Sequence, residues 1–177
     1  MQDFSDQDFE SPSGFTDVVS KRQKTQAIAM QMAIDAHRLN KGHCWGTLFW
    51  QLNDCWPGPS WSSIDVFGRK KELYNQLPML YAPVALIPQL RDQTVTITLV
   101  NDLLKDFEGE MALQLKKGDQ IIWQSTKNVM VNKNQTKEVY RMHEDKLLGG
   151  MDRQLVGLQM ELRNGEQLVF TREFMFR

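Results

Sequence analysis

The sequence has 177 residues, a formal net charge of -1, 41% hydrophobic residues and 24% charged residues. That balance is ordinary for a soluble globular chain. It excludes the basic field that a nucleic-acid or anionic-membrane partner needs, and no apolar stretch approaches the roughly 20 residues of a membrane span. The N-terminus, MQDFSDQDFESPSGF, is acidic and polar and so is no signal peptide. The length allows one sizeable domain, or one small domain and a fragment.

Residues 1 to 15, rich in Asp, Ser and Gln, read as a loop or frayed end. Ser20 and Gln23 fit a capping box and open a helical signal. From Gln23 to Leu39 there is no Gly or Pro, and Ala27, Ile28, Met30, Ala33 and Ile34 form an apolar face of helical period. Met30 and Met32 read as core. Asn40, Lys41 and Gly42 end the helix.

The next stretch is the most informative. Four of the five tryptophans lie between Trp45 and Lys71, in WGTLFWQLNDCWPGPSWSSIDVFGRKK. A strand is predicted over about 45 to 53, apolar on both faces as in a parallel sheet covered by helices. It runs into Asn53, Asp54 and Cys55, and then into a Pro/Gly/Ser loop flanked by Trp56 and Trp61. A buried strand ending in amides, an acid and indoles suits a sugar-binding cleft. A second helix is predicted from about Arg69 to Leu80. Helix, buried strand, loop, helix is the rhythm of a parallel α/β fold.

The character then changes. Pro78, Pro83 and Pro88 bracket the short stretch YAPVALIP. Strand signal follows at Thr94–Val100, Met111–Leu115, Ile121–Trp123, Val129–Val131, Glu138–Tyr140, Leu155–Leu162 and Gln167–Phe176. Lys117-Gly118-Asp119 and Arg163-Asn164-Gly165-Glu166 read as hairpin turns. About seven short strands is the count of an immunoglobulin-like sandwich. The chain therefore divides into residues 1–83 and residues 84–177. The second part can close a core alone. The first holds one strand and two helices, and a lone parallel strand has unpaired edges on both sides.

The segment GTLFWQLNDCWPGPSWSSIDVFGRKKELYNQLPMLYAPV resembles the end of the catalytic barrel of β-mannosidases in glycoside hydrolase family two. QKTQAIAMQMAIDAHR resembles the helix before the last barrel strand. The resemblance is specific over residues 20 to 88 and rests on strand order beyond. It implies the last strand and flanking helices of a TIM barrel, followed by an all-β immunoglobulin-like sandwich. Such enzymes are retaining exo-glycosidases that remove terminal β-linked mannose from glycans or mannan oligosaccharides. Their sites lie at the C-terminal ends of the barrel strands.

By resemblance, Trp50 is the apolar floor under the sugar, Gln51, Asn53, Asp54 and Trp56 line or support it, and the Trp50–Gln51 peptide is cis. Without the resemblance, Trp50 on an apolar strand reads as core, while Asp54 could equally contact substrate or cap the loop or the next helix. Trp61 reads as pinning the loop, with Trp56 left open. Asp65 reads as a cap for the second helix, and Arg69, Lys70 and Lys71 as a solvated face. In this family an aromatic usually stands where Lys70 does.

A retaining mechanism needs two carboxyl groups about 5–5.5 Å apart. In this family both are glutamates on earlier strands. None of the glutamates here, from Glu10 and Glu72 to those of the sandwich, sits in the context of a catalytic strand end. The chain is therefore expected to be the inactive C-terminal portion of such an enzyme, with β-mannoside glycans and the upstream barrel as partners and self-association through exposed barrel edges. No cofactor is expected. His37, His43 and His143 lack ligand spacing, so no metal is expected either.

Cys44 and Cys55 at the ends of one extended strand would be roughly 30 Å apart at about 3.3 Å per residue. A disulfide needs about 7 Å or less, so both are expected as free thiols. The compartment stays open: periplasmic or secreted in a bacterium, lysosomal in an animal. Asn134-Gln135-Thr136 matches a glycosylation sequon, which matters only in a secretory eukaryotic protein. The rival reading is a stand-alone carbohydrate-binding or interaction sandwich. Exposed aromatics among Trp123, Tyr140, Phe170, Phe174 and Phe176 would favour it.

Overall fold

The computed structural model describes residues 13–176. It divides into two compact units, Met1–Tyr81 and Ala82–Arg177. The loop expected over residues 1 to 15 falls mostly outside the described residues.

The first unit is built on helix α1 (Phe15–Leu39) and helix α2 (Glu72–Leu80), which pack together. Helix α1 begins before the expected Ser20, so Ser20 and Gln23 are interior and form no capping box. Asp17 supplies the start instead. Its carboxylate accepts the Ser13 N–H at 2.9 Å and pairs with Lys21 one turn on at 2.9 Å. A carboxylate in a first turn also faces the positive end of the helix dipole. At the other end the Asn40 N–H returns to the Ala36 and His37 carbonyls. Of the expected apolar face, Ala27 and Ile34 are fully buried, Ile28 and Met30 are half-buried, and Ala33 is exposed. Met32 is exposed, not core.

The expected strand over 45–53 is not part of a sheet. Residues 45 to 50 make no backbone–backbone hydrogen bond among the described residues. Asn53 alone forms a parallel bridge, to Ile64, which bridges in turn to Lys70. The physical reason is that ladder bonds require flanking strands, and this unit offers none. The second helix starts at Glu72 rather than near Arg69, because Arg69 is held in a turn by Asp65.

The second unit is an antiparallel sandwich. One sheet has the order β1-β2-β5, with β1 (Val84–Arg91), β2 (Thr94–Asn101) and β5 (Thr136–His143). The other has the order β4-β3-β6-β7, with β3 (Phe107–Lys117), β4 (Gln120–Val131), β6 (Gly157–Asn164) and β7 (Gln167–Met175). A short helix α3 (Glu144–Leu148) follows β5. Alternation sets the core. Val95, Ile97 and Leu99 of β2 are buried between half-buried threonines. On the facing sheet Met111 pairs with Leu162, Leu113 with Met160 and Leu115 with Leu158, all buried. Each such side chain contributes about 1.5–3 kcal/mol on leaving water.

Seven strands are present, but two boundaries differ from expectation. Ile121–Trp123 and Val129–Val131 belong to one strand, β4, whose polar middle reads as a break in the sequence. An edge strand can keep its ladder to β3 while its side chains face solvent. Conversely β1 runs through Pro88, in the stretch read only as proline-bracketed. Proline is tolerated there because β1 is an edge strand. Gly109 in β3 has a packing reason: a Cβ there would lie 2.3 Å from the Arg163 carbonyl oxygen.

Hairpin turns fall at Gly118-Asp119 and Gly165-Glu166 as expected. A third, Asp92-Gln93, has φ values of 47° and 57°, the φ pattern of a type I′ turn without glycine.

Asn101 is fully buried. Its Nδ2 donates to the carbonyls of Lys105 (2.8 Å) and Asn132 (3.2 Å), and its Oδ1 accepts the Leu103 N–H (3.0 Å). One amide thus ties two loops at the same end of the sandwich. Asn101→Ala strands these buried groups and should destabilise the second unit by about 2–3 kcal/mol in urea unfolding. Asn101→Asp, which keeps only the acceptor side, should be no better.

Candidate functional site

Residues 46 to 52 form no regular element, with bends at Trp50 and Leu52, but their exposure alternates. Gly46, Leu48, Trp50 and Leu52 are exposed, while Thr47, Phe49 and Gln51 are half-buried. The covered face rests on the helices. Thr47 Oγ1 lies 3.0 Å from His37 Nδ1 of α1, the Thr47 carbonyl accepts the Tyr81 hydroxyl at 3.2 Å, and Phe49 packs on the Tyr81 ring at 6.4 Å. The other face is open. Leu48 is 99% exposed and Trp50 77%. The Trp50–Gln51 peptide is cis.

The end of this segment is fastened to the stretch after the loop. The Ser63 and Ile64 N–H groups donate to the Leu52 carbonyl (3.2 and 2.9 Å), as does the Ser63 hydroxyl (2.8 Å). The Ser63 N–H also reaches the Gln51 carbonyl at 3.1 Å, and the Asp54 N–H donates to the Ile64 carbonyl at 3.0 Å. Between them the loop presents Trp56 and Trp61, both exposed. The Trp61 carbonyl accepts Gln26 Nε2 of α1 at 2.8 Å.

The five expected site residues therefore split. Trp50, Asn53 and Trp56 are exposed, Gln51 is half-buried, and Asp54 is buried. Asp54 is paired: its Oδ2 accepts Lys71 Nζ at 3.2 Å. The hydroxyls of Ser60 and Ser62, then the Lys71 ammonium, hold its carboxyl below the ordinary value of 3.8 despite burial. Asn53 turns its Nδ2 to the Asp54 carbonyl at 3.2 Å.

Two expectations fail here. Lys71 is not on a solvated face: its side chain is only 14% exposed. Its partners, Asp54, Ser60 and Ser62, share no sequence spacing with it, so no signal in the sequence announces the contact. Asp65 does not cap α2. Its Oδ1 accepts the N–H groups of Phe67 (2.9 Å) and Arg69 (2.8 Å), closing a tight turn. Lys70, where an aromatic was expected, lies 4.7 Å from the centre of the Tyr74 ring. Cys44 and Cys55 are free thiols.

Residues 93–177 match the family model described as Mannosidase Ig/CBM-like domain. Over 87 residues the chain is 32% identical to the β-mannosidase of Rattus norvegicus, a match covering 49% of this chain and 9% of that protein. The chain is related to β-mannosidases. Its fold matches that of the β-D-mannosidase of Dictyoglomus thermophilum with a TM-score of 0.86 at 22% identity, over 98% of this chain and 21% of that one. The exo-chitosanase of Amycolatopsis orientalis matches with a TM-score of 0.79 at 15% identity, over 98% and 21%. The chain thus spans about a fifth of each solved enzyme, and less of the rat β-mannosidase.

The Asp54 pairing has a pH signature. Its carboxyl sits below its unfolded value, so the stabilisation is fully present above pH 3.8 and is lost as pH falls through the lower folded value. Protease resistance of residues 55–61 should therefore hold from pH 8 to about 4 and fall only in stronger acid. Asp54→Asn should remove that acid-side dependence and expose the loop to cleavage at neutral pH.

Proposed function

We propose that this chain is the C-terminal portion of a retaining exo-β-mannosidase that removes terminal β-D-mannose from glycans or mannan oligosaccharides. Residues 46–53 serve as the closing strand of its barrel, and residues 84–177 form the sandwich that follows in the chain. The observation that carries this reading is the alternation along residues 46–52. One face is packed on α1 and on Tyr81 at the end of α2, as the outside of a barrel strand is packed on helices. The other carries Leu48, Trp50 and Leu52 into the open and ends beside a tryptophan loop.

In this reading the indole face of Trp50 packs against the C–H surface of the sugar at the cleavage site, leaving its N–H free to hydrogen-bond. Asn53 and Trp56 line the cleft, while Gln51 and Asp54 hold its backbone. The acid/base and nucleophile come from earlier strands, so hydrolysis needs a part of the enzyme outside this sequence. The shared fold with an exo-chitosanase leaves the sugar open. The sequence likeness to β-mannosidases favours mannose.

The rival, a stand-alone glycan-binding sandwich, loses its support. Among the described residues no aromatic of the second unit is exposed: Phe107, Phe170 and Phe176 are buried, and Trp123, Tyr140 and Phe174 half-buried. Trp123 and Tyr140 pack on each other at 6.1 Å, so neither ring lies free as a platform.

Two measurements test this. Incubated with nitrophenyl β-mannoside, the 177-residue chain should release no nitrophenol, and turnover would sink the fragment reading. In the longer protein that carries this sequence, Trp50→Ala should lower kcat/KM by about 100-fold, near 2.7 kcal/mol of transition-state binding. A Trp50→Ala enzyme with undiminished activity would remove Trp50 from the site. The open face also predicts association of the isolated chain in sedimentation, which Leu48→Lys should shift toward monomer.

A further inference from the structure

The loop 55–61 is held in an unusual way. All of its residues are exposed, and none contributes a backbone–backbone hydrogen bond among the described residues. Side chains hold it instead. Lys71 Nζ donates to Asp54 Oδ2 (3.2 Å), Ser60 Oγ (3.0 Å) and Ser62 Oγ (2.8 Å). An ammonium has three N–H donors, and here there are three acceptors for them. The Ser60 and Ser62 hydroxyls lie 3.0 Å apart, and the Ser62 N–H reaches Ser60 Oγ at 3.2 Å. The Lys71 N–H donates to the Ser63 carbonyl at 2.9 Å, and the next residue begins α2. A single residue therefore links the end of the 46–54 segment, the tryptophan loop and the start of a helix.

We propose that Lys71 is a positioning residue that fixes the loop carrying Trp56 and Trp61, and through it the grip of the cleft on the part of the substrate beyond the sugar on Trp50. The functional half rests on the β-mannosidase reading; the structural half does not. Lys71 is enclosed by its three partners and touches no reacting atom. Its effect passes through the two indoles. A point charge suits this role better than a guanidinium, whose flat fork cannot converge on three acceptors around one centre.

The test has two arms. In the 177-residue chain with labelled indole groups, Lys71→Met should move the Trp56 and Trp61 indole resonances and leave that of Trp123 in place. Unmoved Trp56 and Trp61 resonances in a folded variant would overturn the proposal. Should K71M unfold the first unit, Ser60→Ala removes one acceptor only and must shift the same two resonances; if it does not, the proposal fails.

In the longer protein, K71M should lower kcat/KM for a manno-oligosaccharide by about tenfold, mostly through KM, and that for nitrophenyl β-mannoside by less than about threefold. An equal fall on both substrates would overturn the positioning role. Absence of any β-mannoside turnover by the unmutated longer protein would instead overturn the β-mannosidase reading and leave the loop result standing.

Discussion

A segment whose side chains alternate in exposure has two faces, and the first unit covers only one face of residues 46–52. Helix α1 and Tyr81, just past α2, cover Thr47 and Phe49, and Ser63 and Ile64 fasten the far end at Leu52. Leu48, Trp50 and Leu52 have no such cover. Apolar side chains of this size gain about 1.5–3 kcal/mol each on burial, a gain this chain leaves unrealised. The rest of the unit is arranged around this imbalance. Arg38 Nη1 donates to the Leu80 carbonyl at 2.7 Å and ties the helices at one end, while Gln26 reaches the Trp61 carbonyl of the loop. Order in the segment comes from one side and from its tip.

The two units contrast in where their aromatic surface lies. In the sandwich the rings are consumed by the core or by each other, as with Trp123 on Tyr140 and Phe174 edge-on to Phe176 at 5.2 Å. In the first unit Trp45, Trp50, Trp56, Trp61 and Phe67 are all exposed. A sugar offers a C–H face that an exposed indole can cover. That capacity belongs to the first unit, since the rings of the sandwich are buried or half-buried.

What could be read from the sequence follows from what kind of physics fixed it. The cores of β2, β3 and β6 were legible because burial on one face leaves a period of two, as in Val95-Thr96-Ile97-Thr98-Leu99. The glycine turns were legible because Gly118 and Gly165 have positive φ. The middle of β4 was not, since an edge ladder asks nothing of its side chains, and Pro88 masked β1. The turn at Asp92-Gln93 lacks the glycine that would have announced it. The tryptophans marked the candidate site. The Lys71 network did not show, because residues 54, 60, 62 and 71 have no shared spacing and meet only through the fold of the loop.

The proline in β1 bears on more than a strand boundary. Proline cannot donate a backbone hydrogen bond, so Pro88 withholds one donor from an edge of the three-stranded sheet and makes that edge a poor template for cross-chain β-sheet growth. Residues 45 to 50 carry no proline, no lysine and no bulge, and their backbone is unladdered. When copies of this chain meet at high concentration, the unladdered backbone of residues 45 to 50 offers fibrous misassembly a doorway of the kind that Pro88 narrows at the β1 edge.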